Sequence, residues 1–213
     1  MPSRPTRGKS PFAARKQPRQ QRSTKLVDAI LEAAVRVLSR EGAAKFNTVR
    51  VAERAGVSVG SLYQYFPNKQ AILFRLQEKE WLETSALMQS ILGDGTRGAK
   101  QRLRDAISAF FRTEHEEAPL RRALGASAPL FVDSPIAKAQ HRRSQRLLYR
   151  TLREAAPTLT RPQLVFAGEL YAATMGSLAA HVTDDATRSR ADVERWAQAC
   201  ADMFLAHLET RNR

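Results

Sequence analysis

The sequence predicts an all-α protein: a three-helix, helix-turn-helix head near the N-terminus and a C-terminal helical bundle, about nine helices in all. Three observations predict it. Apolar residues recur at three- and four-residue spacing along most of the chain, the period of an amphipathic helix. Capping residues stand where such helices would start and stop. No stretch alternates apolar and polar residues as a half-buried strand would.

The first predicted helix covers residues 22–40, where Leu26, Ile30, Ala33, Ala34, Val37 and Leu38 form one stripe. Gly42 follows in the C-cap role. The second and third helices, 48–55 and 59–65, are short and joined by Gly56, Val57 and Ser58. Glycine takes positive φ at little cost, so Gly56 permits a sharp turn. Ser58 can accept the free N–H groups of the third helix, and Pro67 closes it. Val49, Ala52, Val57 and Leu62 are expected to pack inward and hold the pair at a fixed angle, with Phe66 in the core. The outward face then carries Ser61, Tyr63, Gln64 and Tyr65, with Gly60 at its start. This is the arrangement of a helix-turn-helix whose second helix enters a DNA major groove.

Asn68 is the expected N-cap of a long fourth helix, 69–92, roughly 35 Å at 1.5 Å per residue. That length can link the head to a second body. Residues 93–98 match G-x-G-x-x-G, but the dinucleotide fingerprint needs a buried strand before it, and here a helix precedes. The match reads as a hinge loop. A fifth helix spans 99–117, with Leu103, Ile107, Phe110 and Phe111 inward. Pro119 and Pro129 are expected to interrupt the chain and leave a short sixth helix, 120–126. Ser134 and Pro135 open a seventh helix that runs to 156. Thr160 and Gln163 form a capping box for the eighth, 162–182, and Ser189 and Asp192 open the ninth, 191–208.

The chain has 213 residues and a net charge of +14. Residues 1–25 hold Arg4, Arg7, Lys9, Arg15, Lys16, Arg19, Arg22 and Lys25, no acid, and four prolines. This composition predicts a disordered basic arm, residues 1–21, beside the head. Such an arm can follow phosphates or reach into a minor groove, or act only as a solubilising spacer. No run of about 18 apolar residues predicts a membrane span, and no apolar segment follows the basic N-terminus as in a secretory signal. The single Cys200 allows no internal disulfide and fits a reducing cytoplasm. H-E-x-x-H, G-x-S-x-G, CxxC and P-loop motifs are missing, so no enzymatic activity and no cofactor is expected. Glu114, His115, Glu116 and Glu117 read as a solvated acidic helix end rather than a metal site.

The run AGVSVGSLYQYFPNKQAIL, with Ala52 before it, closely resembles the head of the TetR/AcrR family of one-component transcriptional regulators. The residues that carry the resemblance are Ala52, Ala55, Gly56, Val57, Ser58, Gly60, Tyr63, Tyr65, Phe66, Lys69 and Leu73. The rest of the chain resembles the family in architecture only. Ala43 and Asn47 depart from it, where an aromatic residue and a second threonine are usual. Carried over position by position, the resemblance implies DNA contacts from Thr48, Ser58, Val59, Gly60, Ser61, Tyr63, Gln64, Tyr65 and Lys69. The chemistry of these residues suggests roles. Thr48 would cap the second helix and bond a phosphate. Gly60 lets the backbone approach DNA. Ser61 and Gln64 reach base edges. Tyr63 and Tyr65 offer hydroxyls to phosphates and flat faces to thymine methyls, and at least one of the two is expected to serve partly in packing. Lys69 clamps a phosphate.

The resemblance further implies a domain plan of 22–68 for the DNA-binding head and 69–213 for a ligand-binding and dimerisation body. It implies a homodimer formed through the helices near 162–182 and 191–208. There, Ala167, Gly168, Ala172, Ala173, Gly176, Ala179 and Ala180 permit close approach, and Val193, Trp196, Ala197, Cys200, Phe204, Leu205 and Leu208 offer bulk. The same faces could instead close the protomer's own core. A small-molecule effector is expected inside the body, against Trp81, Phe110, Phe111, Phe131, Tyr149, Phe166, Tyr171 or Met175, with His115, His141 or Arg146 as polar anchors. The implied function is a repressor released from a pseudo-palindromic operator. An activator, a ligand-independent DNA-binding protein and a sequence-tolerant architectural protein are the alternatives.

Overall fold

The computed structural model describes residues 21–124 and 135–212, and every element among them is helical. In order they are α1 (Gln21–Glu41), a 3₁₀ turn (Ala43–Lys45), α2 (Thr48–Ala55), α3 (Val59–Tyr65), α4 (Lys69–Gly93), α5 (Ala99–Leu124), α6 (Pro135–Ala155), α7 (Arg161–Asp184) and α8 (Arg190–Arg211). The basic arm up to residue 20, the Ser134 cap, Phe131 and residues 125–126 of the expected sixth helix lie outside the described residues. Among those described, no helix is long and apolar enough to cross a membrane.

The described helices number eight, against about nine expected, because the fifth and sixth are one. α5 runs through Pro119 to Leu124. An interior proline removes one backbone hydrogen bond and costs about 3 kcal/mol. Ala118 and Leu120 are both buried on either side of it. Burial of these neighbours, about 1.5–3 kcal/mol for a leucine alone, offsets much of that cost.

The described chain forms two compact units, residues 21–79 with 119–124 and residues 80–118 with 135–212. In the first, Ile30, Ala34 and Val37 of α1 meet Val51 and Ala52 of α2, Leu62 of α3, Phe66 and Ile72. Phe66 is buried as expected. Val49 is not: it is 48% exposed, and Val51 is fully buried in its place. The inward stripe of α2 is Thr48, Val51, Ala52 and the half-buried Ala55, and Val49 lies off it.

In the second unit, Leu103, Ile107 and Phe111 of α5 pack with Leu152 of α6, Met175 and Ala179 of α7, and Ala197, Phe204 and Leu208 of α8. Arg102, itself buried, ties off the C-terminal end of α4. Its guanidinium donates to the Leu92 carbonyl at 2.8 Å and the Arg97 carbonyl at 3.1 Å, and pairs with Glu154. Thr151 donates to the same Leu92 carbonyl at 3.2 Å. These side chains satisfy carbonyls that the helix leaves open. The loop at 93–98 therefore follows a helix. Asp94 organises it by accepting the Thr96 N–H at 3.0 Å, and those bonds from Thr96 hold its carboxyl below the usual range.

The start signals of α7 and α8 are present as read. Gln163 accepts the Thr160 N–H at 2.8 Å. Ser189 accepts the Asp192 N–H at 3.2 Å while Asp192 accepts the Ser189 N–H at 3.0 Å. The small residues of α7 divide: Ala167, Gly168 and Ala179 are buried in the unit, whereas Ala172, Ala173 and Gly176 are exposed. On α8, Val193, Ala197, Cys200, Phe204, Leu205 and Leu208 close this unit's own core, and Trp196 stays exposed. The outward apolar side chains of the pair are Val165, Phe166, Trp196 and Met203.

Candidate nucleic-acid interface

The turn between α2 and α3 is built by backbone chemistry that the residues dictate. Gly56 takes the left-handed conformation, φ 68° and ψ 31°. Its N–H donates to the Glu53 carbonyl at 3.1 Å, and Val57 N–H donates to the Ala52 carbonyl at 3.0 Å. That is a Schellman closure of α2, and the left-handed residue in it favours glycine. Ser58 then caps α3, accepting the Ser61 N–H at 3.0 Å, while the two serine hydroxyls lie 2.8 Å apart. Asn68 caps α4 by accepting the Ala71 N–H at 2.8 Å.

The N-cap of α2 is Asn47, not Thr48. Its side-chain oxygen accepts the Arg50 N–H at 2.9 Å. An asparagine in extended backbone is as good a cap as threonine, and it leaves the Thr48 hydroxyl free for another partner. That partner is Tyr63: the two hydroxyl oxygens are 3.2 Å apart. The contact joins the middle of α3 to the start of α2 and places both hydroxyls beside the open N–H groups of that helix end, where an anion is favoured.

The rest of the predicted face divides by exposure. Ser58, Gly60, Tyr63, Gln64 and Lys69 are exposed, and Val59 and Ser61 are half-buried. Tyr63 is 41% exposed. Tyr65 is only 8% exposed and belongs to the head's apolar cluster, so its expected place on the outward face is corrected to the core. It lies three residues after the fully buried Leu62, on the same face of the helix, and packing claims it. Lys45, Arg50 and Arg54 are exposed on the same unit and escaped the sequence reading. Arg50 pairs with Glu41 at 3.6 Å. The signal that could have found them is a run of cations flanking a predicted helix start.

The effector candidates also divide. Phe110, Tyr149 and Met175 line one cleft of about 380 Å³, as do Tyr171 and His141. Phe111 does not: it is fully buried in the core. Trp81 is half-buried on α4 and does not line this cleft, and neither do His115 and Arg146. Phe166 is 56% exposed on the other side of α7, its ring 6.3 Å from that of His207. Burial also pushes the Tyr171 phenol and the Cys200 thiol up, the thiol donating to the Met175 sulfur at 3.9 Å.

Comparison with known proteins agrees with this geometry. Residues 30–76 match the family profile described as bacterial regulatory proteins, tetR family. Residues 99–210 match the tetracyclin repressor-like C-terminal domain. No curated protein sequence matches the chain. Among solved structures, the fold is similar to the fatty acid degradation regulator FadR from Bacillus halodurans (TM-score 0.63, 17% identity, covering 89% of this chain and 97% of that one). It is similar to a TetR/AcrR-family transcriptional regulator from Thermobifida fusca (TM-score 0.66, 15% identity, 87% and 97%). It is also similar to FadR from Bacillus subtilis in complex with stearoyl-CoA (TM-score 0.61, 19% identity, 84% and 97%). With a tetR-family head, a tetracyclin repressor-like body spanning more than half of its length and an all-helical fold, the chain belongs to the TetR family of DNA-binding transcriptional regulators.

Proposed function

We propose that the chain is a ligand-responsive repressor that binds a pseudo-palindromic operator as a homodimer. The observation that carries this reading is the split character of α3. One side is buried in the head, and the other presents Gly60, Tyr63 and Gln64 to solvent. A short helix held rigidly from behind can lie in a major groove without ordering cost. Gln64 and Ser61 read base edges, Gln64 pairing bidentately with adenine. The exposed Tyr63 hydroxyl, steadied from behind by the buried Thr48 hydroxyl, holds a phosphate together with Lys69 and the α2 N-terminus. Gly60 and Val59 make the close approach, Ser58 positions the turn, and Tyr65 acts mainly by packing.

One head binds weakly, so two copies are needed for specific affinity. The exposed Val165, Phe166, Trp196 and Met203 supply an apolar, self-complementary face on α7 and α8. The cleft at Phe110, Tyr149 and Met175 takes the effector. That a relative of the same fold holds stearoyl-CoA supports a ligand-binding body. Release is a population shift: the ligand favours a head spacing that no longer fits successive grooves. The protein acts in the cytoplasm, where the DNA is.

Gel-shift titration with a promoter fragment tests the reading. The complex is expected to survive excess random DNA, and to weaken steeply with salt, by roughly one power of salt per phosphate contact. Loss of all binding to random competitor would replace the regulator by a sequence-tolerant architectural protein.

A further inference from the structure

The cleft at Tyr149 has a neighbour of opposite chemistry. A second cavity, of about 490 Å³, is lined by Tyr149, Arg150, Arg153, Arg161, Leu164 and Val165. Tyr149 lines both. Along α6 the first cleft uses residues 141–149 and the second 149–153; along α7 they use 168–176 and 161–165. The two adjoin at Tyr149 along the α6–α7 seam, and the first also takes Met88 and Leu92 of α4 and Phe110 of α5 into its wall. At their junction the Tyr149 ring lies against bare backbone: a Cβ on Gly168 would sit 2.6 Å from Tyr149 Cε1.

One half of the groove has an apolar wall of Leu148, Tyr171 and Met175. The other gathers three guanidinium groups and no carboxylate. Glu154, the acid of this stretch, is already shared by Arg102 and Arg150. Arg153 and Arg161 are exposed, and among the described residues no hydrogen bond or ion pair engages either. Arg142, Arg146, Arg150 and Arg153 also follow each other at four- and three-residue spacing, a repulsive pattern on a helix that does nothing for its stability. A solvated basic face would explain the stripe alone. It does not explain why the stripe ends in a concavity that shares a wall, Tyr149, with an apolar cleft.

We infer that the α6–α7 groove binds an anionic amphiphile, its apolar chain against Leu148, Tyr171 and Met175 and its carboxylate or phosphate headgroup on Arg150, Arg153 and Arg161. Guanidinium groups bind both headgroups through paired, charge-assisted hydrogen bonds. The reverse orientation would bring the headgroup toward Glu169, which lines the apolar half. From Gln145 to Arg153, α6 rises about 12 Å, which sets the least length of the molecule. The inference deepens the effector reading above and rests on it.

Calorimetric titration of the full chain with dodecanoate and dodecyl phosphate below their micelle concentrations, and with dodecanol below its solubility limit, tests it. At least one anionic probe is expected to bind roughly tenfold more tightly than dodecanol. Which one prefers the site distinguishes a carboxylate source from a phosphate source, and inorganic phosphate alone should bind more weakly than either. The R153Q/R161Q double variant should lose the preference while keeping its affinity for dodecanol, and R153K/R161K should restore part of it. Equal affinities for all three probes, no binding of any, or a preference that survives R153Q/R161Q would overturn the inference. Operator binding is read separately. Arginine-dependent binding that leaves the operator complex intact would defeat the effector reading and leave the site standing. Release by dodecanol as readily as by the anions would do the reverse.

Discussion

Replacing Gly60 by alanine sets stability and DNA binding against each other. Gly60 is the second residue of α3 and is exposed. Its φ lies outside the left-handed region, which among the described glycines only Gly42 and Gly56 occupy. An added Cβ meets a single neighbour, Ser58 Oγ at 3.9 Å, an ordinary contact. Nothing in the fold therefore resists the methyl group. Alanine is the better helix former and has less freedom to lose, so G60A should stabilise the protein by about 0.5–1 kcal/mol. The first-turn position favours the lower figure. At a urea dependence of about 1–3 kcal/mol per molar, the midpoint rises by a few tenths of a molar. On DNA the sign reverses. A methyl group forced into a close backbone contact costs about 1–3 kcal/mol, which weakens operator binding roughly five- to hundredfold. Urea unfolding followed by circular dichroism and fluorescence anisotropy on an operator duplex measure the two effects. A G60A protein that is more stable and binds the operator as the wild type does would refute the placement of Gly60 against DNA.

Four further outcomes are expected. Gly56→Ala should lower stability by about 1–2 kcal/mol, measured by urea unfolding, because the left-handed backbone strains any L side chain while no neighbour lies within 4 Å of the new Cβ. Tyr63→Ala should cost at least tenfold in operator affinity but under about 1 kcal/mol in stability, since it gives up one hydroxyl contact and a half-exposed ring. If the proposed dimer forms through α7 and α8, Met203→Glu should shift the sedimentation of the protein from dimer to monomer, because a charge would replace an apolar side chain that is 57% exposed in the single chain. The fourth concerns pH. The hydroxyl and N–H of Ser189, with Arg195, hold the Asp192 carboxyl down to about 2, below the usual value of about 4. Its capping contribution is then present above pH 4 and lost as the pH falls towards 2. The gap in urea midpoint between wild type and D192N should be constant near pH 6 and should shrink steadily below about pH 4.

Local chemistry made much of this molecule legible in its residues. Ser58, Asn68, Thr160 and Ser189 each stand where a helix needs an acceptor, and all four helices start there. Gly56 could be read because a left-handed residue leaves few choices. The misreadings arose where tertiary packing decides. Pro119 looked like a break, but buried neighbours carry α5 through it. Val49 and Val51 are chemically alike, and only the phase of the α2 stripe, set by α1, says which is inside. Tyr65 sits beside Gln64 in sequence, and one step of about 100° around a helix moves a side chain from surface to core. Asn47 and Thr48 are both good caps; Asn47 takes the role, and the Thr48 hydroxyl lies against a tyrosine fifteen residues away that local sequence does not reveal. The arginine cavity was invisible because Arg150 and Arg153 meet Arg161 only once α6 and α7 pack side by side.

The central claim is that the exposed face of α3, presented twice, reads a particular DNA sequence. Enrichment of random duplexes by the full-length protein, in excess non-specific DNA, tests it most directly. The account predicts an inverted-repeat motif whose half-sites are centred about one helical turn, or a multiple of it, apart. It also predicts that the Tyr63→Ala Gln64→Ala variant no longer selects that motif. Enrichment of no motif, or of the same motif by that variant, would contradict it.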